Sequence, residues 1–264
     1  MTGPVVLGWV DLALASTLLG VFGIISVGWR LGLGRLLGIA AVRAVVQLSL
    51  LGLVLVPVFA LEVAWPVVLW CLAMIALAGR EAVARTKRRH PGMLWSSIAA
   101  MALGGGGSAL FATAAVLQIE TWWAPQYLVP LVGMILGNAL SGVSLGLDRA
   151  LSSLDDDRAV VEGMLALGAT RTEATRHIAR DAIRTGLVPI LNTMSAVGLV
   201  SIPGMMTGQI LGGTPPMQAA RYQLLILFLI AGAVAVSTTV AVVVALRVVV
   251  DDAHRLRPDR VEIR

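Results

Sequence analysis

Arg43 and Gln47 stand four residues apart inside an otherwise apolar run, a spacing that puts both on one face of a helix. Polar groups in such a setting are costly, and each is a site candidate by default. The same holds for Asn138, Ser141 and Ser144 in one apolar run, and for Asn192, Thr193 and Ser195 in another. Two roles compete for Arg43: lining a substrate path, or snorkelling to the membrane interface. Two also compete for the Asn and Ser side chains: touching a substrate, or hydrogen bonding between helices. The best candidate for a gate or substrate path runs from Pro203 through Met205 and Met206 to Gln209. A proline frees a backbone carbonyl, and flanking glycines permit a break in the helix. Freed carbonyls and half-helix ends are how transporters contact ions. Met205 and Met206 add thioether sulfur, which suits softer metals, and Gln209 adds an amide oxygen. A ferric ion would want carboxylates, and the apolar runs hold almost none; Asp11 lies near the outer end of the first. Core packing is the competing role for both methionines.

A second constellation lies in residues 148–185, the one sizeable hydrophilic segment. After Asp155-Asp156-Asp157, the stretch from Arg158 to Leu167 predicts a short helix with acidic residues at its start, as the helix dipole favours. Gly168 is placed to end it. Thr170-x-x-Glu173 is a capping box that starts a second helix. That helix carries Arg176, Arg180 and Arg184 as one basic stripe and runs directly into the next apolar run. The pattern fits a docking element in which a partner pushes the short helix and the second helix carries the push into the bilayer. A solvated loop held against lipid headgroups is the plainer alternative.

The elements that must position these groups are membrane helices. The chain is 58% hydrophobic and 13% charged, with mean hydropathy +0.88, too apolar for a soluble domain of 264 residues. Seven apolar runs are long enough to cross a bilayer: 5–29, 36–58, 63–79, 93–118, 127–147, 186–211 and 222–246. The third is short, and the sixth contains Pro189 and Pro203, so either could be re-entrant. In lipid such runs must be helical. This predicts an all-α, polytopic transmembrane helix bundle of about seven spans, with no domain boundary. Basic residues alternate between the connecting segments: Arg30 and Arg35, then Arg80 to Arg89, then Arg149 to Arg184, then Arg247 to Arg264. The opposite segments hold Glu62, Glu120 and, at an edge, Arg221, with Trp122, Trp123 and Tyr127 as an interfacial belt. The positive-inside rule places the N-terminus outside and the C-terminus in the cytosol.

The net charge of +5 is spread over short clusters between apolar runs, which argues for topology signals and headgroups rather than nucleic acid. Cys71 is the single cysteine and excludes an intrachain disulfide. The first run lacks a basic leader and reads as a retained helix. Gly104–Gly107 is followed by no Lys-Ser/Thr, so it is a closely packed or flexible helix point and no nucleotide site. Small residues four apart, as in Gly133–Gly137–Ser141, Gly142–Gly146, Gly204–Gly208–Gly212, Gly28–Gly32 and Gly34–Gly38, favour close helix approach. No Ser/His/Asp set or His-x-x-x-His spacing suggests an enzyme; His90, His177 and His254 all fall in hydrophilic segments. No internal repeat or mid-membrane carboxylate favours an ATPase-independent secondary transporter.

Glu162, Gly168 and Ile178 are spaced as in the coupling motif of ABC importer permeases, although Gly163-Met164 replaces its Ala-Ala pair and no Leu-Pro follows Ile178. Three further stretches extend the likeness: Val42 to Leu48, Pro130 to Asn138, and Gly198 to Leu211. With them, residues 5–250 resemble the FetB family of iron export permeases, whose plant relatives are linked to aluminium tolerance. The resemblance implies a permease subunit in the bacterial cell (inner) membrane, acting as a homodimer with a separate ATP-binding subunit that holds the ATP. It implies that Glu162, Met164, Leu165, Gly168 and Ala169 meet that subunit, that no cofactor is bound by this chain itself, and that iron or another metal is exported. The alternative readings are an ATPase-independent secondary transporter and a membrane scaffold that uses the ATPase but moves no substrate.

Overall fold

The computed structural model describes residues 8–60, 63–251 and 253–263. Glu62, Arg264 and the first residues of the run 5–29, all used in the sequence reading, lie outside the described residues. Long apolar segments form helices: α1 (Trp9–Gly28), α2 (Gly34–Phe59), α3 (Ala64–Arg85), α4 (Met93–Val116), α5 (Pro125–Asp156) and α9 (Pro216–Val249). Each of these six is long and apolar enough to cross a membrane. The run at 63–79, short in sequence, is part of a 22-residue helix. Between α5 and α9 lie α6 (Arg158–Ala166), α7 (Arg171–Ala196) and α8 (Gly204–Leu211).

The run at 186–211 is not one helix. Its first part belongs to α7, which passes Pro189 without a break. The helix stops at Ala196, where Val197 turns extended and Gly198 takes a left-handed φ of 83°. Pro203 then precedes α8. Gly198, and not Pro189, is therefore the breaking residue, because only glycine enters that φ without a Cβ penalty.

The chain divides into two compact units. One comprises α1, α2 and residues 208–214. Its two helices form a hairpin tied at the turn by Ser26, the one buried residue of α1. The Ser26 carbonyl accepts from the Leu31 N–H at 2.9 Å, and its Oγ accepts from the Leu33 N–H at 3.1 Å.

The other unit holds α3 to α7 and α9. Helices α5, α7 and α9 pack on one another around a crossing point with almost no side chain in it. A Cβ on Gly142 would lie 2.6 Å from Val234 Cγ1 and 3.0 Å from the Gly186 carbonyl oxygen; a Cβ on Gly186 would lie 2.5 Å from the Gly142 carbonyl oxygen and 2.6 Å from Thr238 Cγ2. Gly146 meets Thr238 and Val242 in the same way. Helix α4 joins through Gly104, where a Cβ would strike Ser237 Oγ and lie 2.6 Å from the Ala233 carbonyl, and through Gly105 against Leu136. Two π-helical turns, at Ala102–Gly106 and Ala112–Val116, widen α4. The glycine run is thus a close-packing point, as its sequence suggests. Of the other small-residue repeats, Gly28, Gly32, Gly34, Gly38 and Gly137 face open space.

The second unit gathers polar segments at one end. The turn between α3 and α4 contributes a short strand, β1 (Arg88–Arg89), paired antiparallel with β2 (Glu262–Ile263) from the chain terminus. Arg88 binds Asp155 of α5 at 3.1 Å, and the Lys87 N–H donates to Asp148. His90 is buried there; its Nδ1 bonds the Pro91 carbonyl at 2.9 Å while Nε2 has no partner among the described residues.

Candidate functional site: the α6–α7 docking surface

Helix α6 is anchored by one fully buried side chain, Val161, which leaves most of its surface outward. It ends in a Schellman motif. The Gly168 N–H donates to the Leu165 carbonyl and the Ala169 N–H to the Met164 carbonyl, with Gly168 at φ 91°. Two residues later the capping box is complete: the Glu173 N–H donates to Thr170 Oγ1 at 3.3 Å, and the Thr170 N–H donates to Glu173 Oε2 at 2.8 Å. The Thr170 backbone and hydroxyl hydrogen bonds hold the Glu173 carboxyl below the usual carboxylate range. A helix stop and a helix start thus lie back to back, and the turn between them has little freedom.

The five residues expected to meet a partner subunit separate into two groups. Glu162 is exposed and paired with Arg158 at 2.8 Å, one helical turn back. Gly168 is exposed, and nothing stands near the position of its Cβ. Met164, Leu165 and Ala169 are half-buried. The sequence reading missed Leu167, which is 90% exposed at the tip between α6 and α7, with Val160 exposed on α6 as well. Exposed leucine beside a rigid turn, away from any apolar span, was the signal available. An open groove runs beside α6, lined by Met164, Glu173, Arg176, His177, Arg180, Asp181 and Arg184. The arginine stripe expected on α7 therefore forms one wall of it. His177 also faces Asp157 at 3.6 Å.

The proposed substrate-path residues are distributed over both units. Arg43 and Gln47 are exposed on α2, and Gln209 belongs to that same unit; Asn138, Asn192, Pro203, Met205 and Met206 belong to the other. Asn138 and Asn192 are exposed on α5 and α7, and the two methionines are half-buried in α8. Four of the polar side chains bond within their own helix. Asn138 Nδ2 donates to the Met134 carbonyl, Ser144 Oγ to Ser141, Thr193 Oγ1 to Pro189 and Ser195 Oγ to Leu191, each within its own helix. The nearest free acceptor is the carbonyl one turn back, which wins over a partner on another helix. Gln209 Oε1 is buried without a hydrogen-bond partner among the described residues. Among the described residues no group of three or more His, Cys, Asp or Glu side chains comes together as a metal site.

Several proteins are similar to the chain along most of its length. A membrane protein of Synechocystis, slr1647, is 40% identical over 230 residues, covering 85% of this chain and 86% of that protein. The probable iron export permease protein FetB of Escherichia coli is 31% identical over 246 residues, 93% of each chain. The protein ALUMINUM SENSITIVE 3 of Arabidopsis thaliana is 31% identical over 226 residues, covering 86% of this chain and 81% of that protein. No solved structure matches the chain. Residues 9–250 match a single family across the helices described above, and the chain belongs to that family, the uncharacterised protein family UPF0014.

Proposed function

We propose that the chain is the membrane-spanning permease subunit of an ABC-type transporter, driven by a separate ATP-binding subunit that docks on α6. The observation that carries this reading is the α6–Gly168–α7 arrangement. A short, outward helix presents Leu167 and Glu162, and a fixed turn joins it to a 26-residue helix packed on α5 and α9. Force applied at Leu167 passes into the helix bundle through one rigid element. The polar end bearing α6 faces the cytosol in this reading, where the ATP-binding subunit resides, and two permease chains pair in the membrane. ATP is bound and hydrolysed on the partner, and this chain is not itself an enzyme.

The likeness to FetB supports a metal, iron first, as the exported substrate. The Pro203–Gln209 segment is the substrate path in this reading. Its thioethers and the unsatisfied Gln209 oxygen suit Fe(II) or a chelate better than ferric ion. The test is purification of the chain with the ATP-binding subunit, followed by ATPase and metal-flux measurements in lipid. Stimulation by ferrous ion in the wild type, lost on replacing Glu162 or Gly168 with bulky or oppositely charged residues, is the expected result. Wild-type stimulation in those variants would overturn the docking role of α6. ATPase coupling with no metal flux would identify a scaffold in place of a transporter.

A further inference from the structure

The polar end of the second unit holds a second cavity, which shares only Arg176 with the groove beside α6. It lies between the first turns of α7 and the last turns of α9 and has a volume of about 110 Å³. Arg171, Arg176 and Arg247 line it together with Thr172, and among the described residues no carboxylate does. Val243 and Leu246 of α9 supply an apolar wall. Among the described residues Arg176 and Arg247 form no ion pair, whereas Arg88, Arg158 and Arg257 at the same end each hold a carboxylate. The like charges of Arg176 and Arg247 around one small cavity repel one another unless an anion joins them. The position along α9 narrows the choice of anion. That helix has 34 residues, and about 20 cross the hydrocarbon. Arg247, in its last turn, directly follows the apolar run 222–246, and Val243 and Leu246 lie in the final turn of that run.

We propose that this cavity binds the headgroup phosphate of an anionic phospholipid. The guanidinium groups take the phosphate oxygens in paired hydrogen bonds, and Val243 and Leu246 take the first acyl carbons. A free phosphate would use the arginines alone and gain nothing from that wall. Basic pockets between membrane helices are the general form of such sites. A lipid held here spans α7 and α9 and fixes the base of α7 next to its capping box. This site stands independently of the identity of the transported substrate.

The test uses the full chain extracted from vesicles of phosphatidylcholine containing phosphatidylglycerol, with retained lipid read by native mass spectrometry. Wild-type chain retains phosphatidylglycerol in preference to phosphatidylcholine. The double variant R176Q/R247Q retains about thirtyfold less, as expected for two arginines near the membrane surface. Val243→Glu, which puts a carboxylate in the apolar wall, loses it too. Arg184→Gln, on the same helix but outside the cavity, retains the wild-type amount. Equal loss in Arg184→Gln would overturn the proposal in favour of diffuse charge, and unchanged retention in the double variant would overturn it outright. Complete displacement of phosphatidylglycerol by millimolar inorganic phosphate would assign the site to a free anion instead.

Discussion

Helix α2 is more apolar than α5, yet among the described residues α2 buries no side chain, while α5 buries Leu131, Val132, Ile135, Leu136, Val143 and Leu147 along one side. Glycine makes the same contrast. Gly34, Gly38 and Gly52 on α2 have nothing within reach of a Cβ, whereas Gly142 on α5 has three atoms within 3.0 Å of one. Hydropathy measures what lipid will accept and is blind to which apolar face meets protein, because lipid tails are as apolar as leucine. Between helices in a bilayer, close backbone approach replaces the hydrophobic effect as the organising force. The small residues that allow such approach mark the core of the second unit, and in the first unit the same residue type marks nothing.

The sharpest way to break this comparison is a pair of leucines. Gly186→Leu pushes a side chain into the Gly142 backbone and Thr238 and should cost about 3 kcal/mol or more. Gly38→Leu, in open space on α2, should stay within about 0.5 kcal/mol, with better helix propensity in its favour. Thermal unfolding of both variants in detergent reads the difference, and equal melting temperatures would erase the distinction between the units. Next in size, Leu167→Asp should weaken binding of the ATP-binding subunit by about 2 kcal/mol, near thirtyfold, as loss of an exposed anchor does. A binding titration with unchanged melting temperature confirms that the docking end and the packed crossing are separate. Thr170→Ala removes one half of the capping box and should cost about 1 kcal/mol of local stability. Hydrogen exchange at residues 171–174 measures it, and unchanged protection would mean that packing alone holds the start of α7.

The smallest effect concerns pH. Burial pushes the His90 imidazole below the usual histidine range, with the Pro91 hydrogen bond opposing it in part. The folded chain therefore keeps His90 neutral where the unfolded chain has begun to bind a proton. Stability contributed by this residue is present above a pH of about 6.5 and declines as pH falls below it. Melting temperature recorded from pH 7.5 to 5 should fall less steeply in His90→Leu than in the wild type. Parallel curves would show that the β1–β2 end is less tightly closed than the glycine crossing.

The parts legible in the sequence are those governed by local rules. The short helix at Arg158, the stop at Gly168 and the Thr170–Glu173 cap all follow from composition and spacing within a few residues, whereas α5 runs on to Asp156, nine residues past its apolar run. The parts not legible depend on what faces what. Pro189 and Pro203 both interrupt the sixth apolar run in sequence, but α7 accommodates Pro189 and gives way at Gly198. Spacing alone leaves open whether the serines and asparagines touch a substrate or link helices, and Asn138, Ser144, Thr193 and Ser195 bond to carbonyls one turn back in their own helix. Gly142–Gly146 and Gly34–Gly38 carry the same spacing, and only the first meets another helix. Leu167 lay beside the motif that named its neighbours, and only its exposure sets it apart.

The crossing at Gly186 also has a mechanical side. It stands fifteen residues from the start of α7 and ten from its end, so at 1.5 Å per residue the two arms measure about 22 and 15 Å. A fulcrum so placed trades distance for force. Each ångström of sideways travel at Arg171 becomes about 0.7 Å at Ala196, delivered where the helix gives way to the Gly198 turn. With glycine on both α5 and α7 at the bearing, only the Val234 and Thr238 side chains of α9 resist such rocking there.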